Sequence, residues 1–143
     1  MNDATAPKTH VLVVDDQPQN IRLLEAILTP RGYDVLPASS GEEALASIEQ
    51  NDVDLVLCDI VMPGMDGYEV CRAIRERPAT AYLPVVMVTA SGDEQKIKAL
   101  EAGADDFVTK PINQSELLAR VASLARIKRY QDTVKRQSDE LSA

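Results

Sequence analysis

The sequence predicts an α/β protein, a doubly wound parallel sheet of five strands with helices on both faces. Three observations carry that expectation. Short β-type runs alternate with amphipathic segments along the whole chain. Three of the runs are continuously apolar, the pattern of strands covered on both sides by helices. The connections between segments are short, as in repeated strand–helix–strand crossovers. A length of 143 residues suits one domain with a proper core.

Each element can be justified in order. "HVLVVD" opens the chain as a strand, and Ile21, Leu24 and Leu28 then recur at helical spacing. Pro30 falls in the last turn of that helix, where it frays or kinks the backbone, and Gly32 follows as a helix-ending glycine. "DVLPA" is the second strand. Ser40 stands three residues before Glu43, a capping-box spacing that opens a helix carrying Ala44, Leu45 and Ile48. "DLVLCD" is the third strand, and Val70 and Ile74 mark the helix after it. "PVVMVTA" is the fourth. Ser91 and Glu94 repeat the capping spacing before a helix with Ile97 and Leu100, closed by Gly103. "DFVTK" is the fifth strand. Asn113 and Glu116 then open a final helix with Leu117, Leu118, Val121 and Leu124 on one face.

Composition narrows the function classes. Hydrophobic residues make up 45% and charged residues 27%, an ordinary globular balance. No apolar stretch approaches a membrane span, and the start "MNDATAPKTH" lacks the apolar core of a signal peptide. A cytoplasmic location without membrane contact is expected, with residues 1–8 as a disordered tail. Cys58 lies inside "LVLCD" and reads as a buried thiol; Cys58 and Cys71 suit a reducing compartment. His10 is the only histidine, which argues against zinc. The net charge of −8 argues against direct nucleic-acid binding. That charge is uneven: five basic and three acidic residues from Arg126 onward give a local +2, leaving −10 before it.

Ligands of doubly wound sheets bind at the carboxyl ends of strands, near a switch in strand order. The first strand ends at Asp15 and Asp16, the third at Asp59, the fourth at Thr89 and the fifth at Lys110. Three carboxylates at one edge repel and raise one another's pKa unless a cation neutralises them. Oxygen ligands favour Mg²⁺, with Mn²⁺ as the alternative, and magnesium keeps waters that leave room for a phosphoryl oxygen. Asp59 is then placed as a nucleophile that forms an acyl phosphate. The metal, the Lys110 ammonium and the Thr89 hydroxyl would each take one phosphoryl oxygen. Each residue alone has a plainer reading: an Asp pair caps a helix, a Lys-Pro makes a turn, a Thr fills a strand.

The pieces "VVDDQP", "LVLCDIVMPGMDGYEVC", "PVVMVTA" and "ALEAGADDFVTKPI", with their spacing, resemble the receiver domain of two-component response regulators. The resemblance covers residues 9–127. It implies a flavodoxin-like sheet of order 2-1-3-4-5, and a phosphorylation switch fed by a histidine kinase or phosphotransfer protein. It implies Asp59 as phosphoacceptor, and Asp15, Asp16 and the Val61 backbone carbonyl as its partners around the metal. Thr89 matches the switch hydroxyl, Lys110 the phosphate-binding lysine, and Phe107 the aromatic switch position. A cis Lys110–Pro111 bond is also implied. Such a domain is not an enzyme beyond its own phosphorylation and slow dephosphorylation.

Two rivals are a receiver-shaped interaction scaffold and an aspartate-nucleophile phosphatase. A phosphatase of the haloacid dehalogenase type needs a second Asp two residues after its nucleophile, where this chain has Val61. Neither a G-x-G-x-x-G turn nor a P-loop is present. Residues 128–143 continue the last helix without Gly or Pro, and Ile127, Tyr130, Val134, Gln137 and Leu141 alternate spacings of three and four. That seam suits a coiled-coil linker to an output domain beyond Ala143, with a phosphorylation-linked homodimer. "LLARVASLARIKRY" resembles the exits of receivers that precede nucleotide or diguanylate cyclase domains.

Overall fold

The computed structural model describes residues 8–90 and 92–142, the side chains of 140–142 excepted. Residues 1–7 of the expected tail, the Ser91 cap and the Leu141 side chain lie outside the described residues. Among the described residues five strands alternate with five α-helices: β1 His10–Val14, α1 Pro18–Leu28, β2 Asp34–Ala38, α2 Gly41–Gln50, β3 Leu55–Asp59, α3 Gly67–Glu76, β4 Val85–Thr89, α4 Asp93–Glu101, β5 Asp106–Thr109 and α5 Gln114–Ser142. All strand pairs are parallel, in the order β2-β1-β3-β4-β5. The doubly wound fold and its strand order agree with the sequence expectation.

Two apolar layers sandwich the sheet. Successive side chains of a strand point to opposite faces. Val11 and Val13 of β1 therefore join Leu55, Leu57, Val86 and Val88 against α1 and α5. Leu12 and Val14 join Val56, Cys58 and Met87 against Ala44 of α2, Val70 and Ile74 of α3, and Ala99 of α4. Every residue of β3 and β4 is buried, which is why their sequences lack alternation. Pro37 sits in β2, an edge strand, where a missing N–H is tolerated. Cys58 and Cys71 are buried and free, and burial pushes both thiols up, so neither offers a reactive thiolate.

The helix ends show where local chemistry decides. Pro30 does not kink α1; it lies in a 3-10 turn over Thr29–Arg31, closed by Gly32 at φ 89°. The Ser40 Oγ accepts the Glu43 N–H at 3.1 Å, but the Glu43 carboxylate takes the Ser39 hydroxyl at 2.8 Å, leaving half a capping box. Asn113 Oδ1 accepts the Glu116 N–H at 2.9 Å. A full box opens α3, where Asp66 accepts from the Glu69 N–H and Glu69 accepts from the Asp66 N–H. Helix α4 starts at Asp93, behind Gly92 at φ 144° and without a side-chain cap among the described residues.

Helix α5 runs 29 residues without a break. Its middle is fastened to the end of the sheet opposite the β1 and β3 carboxyl ends. Lys128 Nζ lies 3.7 Å from Asp54 Oδ1 and 2.7 Å from Asp132 Oδ2. Asp54 also accepts the His10 N–H at 2.8 Å, and the His10 ring stands between Asp34 and Asp54.

Gly67 is fixed by close packing. Its N–H donates to the Ile60 carbonyl at 2.9 Å, and a Cβ there would lie 2.5 Å from the Asp59 carbonyl oxygen and 2.8 Å from Ile60 Cα. Both are backbone atoms and cannot swing aside. Gly67→Ala should therefore cost about 1–3 kcal/mol of stability, read as a lower urea midpoint. A midpoint equal to the parent's would contradict the packing argument.

Candidate functional site

Among the described residues, three polar side chains are buried: Asp15, Asp59 and Thr89. All stand at carboxyl ends of strands, and sheet register brings those ends together. Val14 pairs with Cys58, so the next residues, Asp15 and Asp59, are neighbours at the switch between β1 and β3. Asp59 pairs with Val88, which sets Thr89 one step beyond it. Thr89 pairs with Thr109, so Lys110 follows beside it, and the Lys110 N–H donates to the Thr89 carbonyl at 2.8 Å.

Carboxylate oxygens of Asp15, Asp16 and Asp59 all lie within 4.8 Å of one another. Lys110 Nζ stands 3.4 Å from Asp59 Oδ1. Asp15 is steered by its own loop: its N–H donates to the Ala38 carbonyl at 3.1 Å, and its Oδ1 accepts the Gln17 N–H at 2.9 Å. The Lys110–Pro111 bond is cis. Val61 lies two residues past Asp59, with an exposed side chain.

Three carboxylates face one ammonium, so the site carries excess negative charge. Burial pushes the Asp59 carboxyl up, Asp15 pushes it further, and Lys110 partly offsets both. An oxygen-only donor set of this sign fits a hard divalent cation such as Mg²⁺.

Thr89 and Phe107 bring in residues that sequence reading did not reach. The Thr89 Oγ1 lies 2.6 Å from the Ala90 carbonyl oxygen and 2.6 Å from Gln95 Oε1, in the first turn of α4. Phe107 is half-buried, level with Met87 in the sheet, and the Lys96 ammonium lies 5.1 Å from its ring centroid. Gln95 and Lys96 carry no motif; only the rotation of α4 about its axis points them at Thr89 and Phe107.

A buried aspartate among carboxylates and one lysine, at the switch point of a five-stranded parallel sheet, defines a phosphoacceptor class of site. Residues 11–122 match the response regulator receiver domain family, and the chain belongs to that family. Response regulator PleD of Caulobacter vibrioides (strain NA1000 / CB15N) is 47% identical over 128 residues, covering 89% of this chain and 28% of that protein. Transcriptional regulatory protein ResD of Bacillus subtilis (strain 168) is 43% identical over 120 residues, covering 83% of this chain and 49% of that protein. The chain thus spans half or less of the length of these relatives. Among solved structures, Vibrio cholerae chemotaxis protein CheY4 superposes with a TM-score of 0.78 at 30% identity, covering 82% of this chain and 99% of that one. A CheY-like response regulator receiver domain protein from Methanospirillum hungatei JF-1 gives a TM-score of 0.80 at 29% identity, covering 87% and 99%.

The raised Asp59 carboxyl has a consequence for stability. The native state holds that proton more tightly than the unfolded chain, whose aspartates titrate near about 3.9. The stability this difference contributes is present at low pH and is lost as pH rises through the folded-state value. With divalent ions chelated, Asp59→Asn should melt a few degrees above the parent at neutral pH, and the gap should close near pH ~4. Thermal melts across that range check this; an Asn variant less stable at neutral pH would contradict it.

Proposed function

We propose that this chain is the phosphoacceptor switch of a two-component system, with Asp59 as the residue phosphorylated. The observation that supports it most is the buried Asp59 carboxylate, held beside Asp15, Asp16 and the Lys110 ammonium. A carboxylate oxygen of Asp59 attacks the phosphorus of a phosphohistidine on a histidine kinase or phosphotransfer protein. A P–O bond forms, the P–N bond breaks, and the imidazole leaves. Lys110 neutralises one phosphoryl oxygen, and Thr89 donates its hydroxyl to another. Mg²⁺, held by Asp15, Asp16, Asp59 and the Val61 carbonyl, would supply positive charge opposite the transferring group. Phosphate adds charge and acceptor oxygens where Thr89 can reach them, and Phe107 turns inward as Thr89 moves.

The chain itself then catalyses only its own phosphorylation and slow dephosphorylation, in the cytoplasm. Among the described residues no helix is long and apolar enough to cross a membrane. An output domain beyond Ala143 would carry any further activity, such as the transcriptional regulation for which ResD is named. The extension of α5 past residue 127 serves as the linker. Its Ile127, Tyr130 and Val134 are exposed at heptad spacing, and the occupant this pattern fits is the same helix of a second copy.

With Mg²⁺ and a small phosphodonor, mass spectrometry should find one phosphoryl group on the parent and none on Asp59→Ala. Equal labelling of that variant would remove Asp59 from the role. Asp16→Asn should lose Mg²⁺ affinity by roughly tenfold or more in calorimetry, and an unchanged affinity would remove it as a ligand.

Sedimentation tests the helix. Phosphorylation of the parent should shift it from monomer toward dimer, and changing Ile127 and Val134 together to Asp should abolish the shift. A doubly substituted protein that dimerises equally well would leave α5 a passive connector.

A further inference from the structure

The Thr89 hydroxyl carries a single proton and stands 2.6 Å from each of two polar atoms, the Ala90 carbonyl oxygen and the Gln95 side-chain amide. The facing amide atom is Oε1, so both are acceptors and the proton is fully engaged. Gln95 is itself held: its backbone carbonyl accepts the Tyr68 hydroxyl at 3.4 Å. Tyr68 belongs to α3, so Gln95 ties the first turn of α4 both to β4 and to α3.

The opposite end of α4 is pinned more strongly. Arg75 of α3 donates through Nε to the Gly103 carbonyl at 2.9 Å, through Nη1 to the Leu83 carbonyl at 2.6 Å, and through Nη2 to Asp105 at 2.7 Å. Gly103 has φ 104°, and a Cβ there would lie 2.8 Å from Arg75 Cγ. The end of α4 able to yield is therefore the one held through Gln95, behind Gly92 at φ 144°.

We infer that Gln95 is a positioning residue that restrains the Thr89 hydroxyl in the resting state and so sets how readily the site takes a phosphoryl group. This rests on the phosphoacceptor reading of Asp59 and Thr89. Gln95 Oε1 is the atom that faces the hydroxyl, so for Thr89 to donate its one proton to a phosphoryl oxygen the bond to Gln95 must break, and the first turn of α4 loses that tie to the sheet. The cost of breaking it is subtracted from phosphoryl binding. The contact acts through Thr89 alone, so its effect must vanish when Thr89 has no hydroxyl.

The test is calorimetric titration of beryllofluoride, a phosphoryl mimic, in saturating Mg²⁺. It compares the parent with Gln95→Leu, Gln95→Met, Thr89→Ala and the Thr89→Ala/Gln95→Leu double variant. One neutral hydrogen bond implies that both Gln95 variants bind roughly three- to tenfold more tightly than the parent. The same Gln95→Leu change should have no effect in the Thr89→Ala background, and Mg²⁺ affinity should be equal throughout. Unchanged or weaker binding by both Gln95 variants, or equal tightening without the Thr89 hydroxyl, would overturn the inference. Failure of the underlying reading looks different: the parent itself would not bind beryllofluoride, or Asp59→Ala would bind it equally well.

Discussion

Mutual repulsion among Asp15, Asp16 and Asp59 is the constraint on which the rest of the molecule depends. Folding brings these carboxylates to one edge against the Lys110 ammonium. The sheet imposes this because parallel pairing fixes which residues emerge side by side, and β3 and β4 are buried along their whole length. A one-residue slip in register would send those apolar side chains to the wrong layers. The apolar layers therefore hold the charged edge together against its own electrostatics. A region so arranged gains more from a bound cation, or from a tetrahedral group that brings one with it, than a neutral surface would.

Much of this is legible in the chain because the relevant signals are local. "LVLCD" and "PVVMVT" read as strands since both faces are covered, and the polar residues that end them are conspicuous after such runs. Ser40 and Asn113 mark helix starts because their bonds reach only three residues ahead. Asp66 could have been found in the same way: it stands three residues before Glu69, the Asp form of the same spacing.

The less legible features depend on how elements are turned toward one another. Gln95 and Lys96 are ordinary polar residues in the first turn of a helix, and nothing in their spacing says which strand they face. His10 looks solitary when set only against other histidines and cysteines. Its partners are carboxylates 24 and 44 residues away, as the spacing of Asp34 and Asp54 shows. The behaviour of Pro30 is likewise not deducible from the chain, since a tightened final turn and a kink start from the same residue and differ only in the path the backbone takes after it.

The fastening of α5 at Lys128 divides that helix mechanically. Up to that point it is held to the sheet, through Leu117, Val121 and Leu124 in the core and Lys128 on Asp54. Beyond it, residues 129 to 142 continue the helix for about 20 Å at 1.5 Å per residue, and Gln131, Asp132 and Lys135 still line a cavity with Asn51, Asp52 and Pro78. A tilt of about 5° at the fastening would sweep its far end through roughly 2 Å, a distance comparable with half a helical turn's rise. A displacement at the base too small to repack a core would thus be enlarged along the length of the helix.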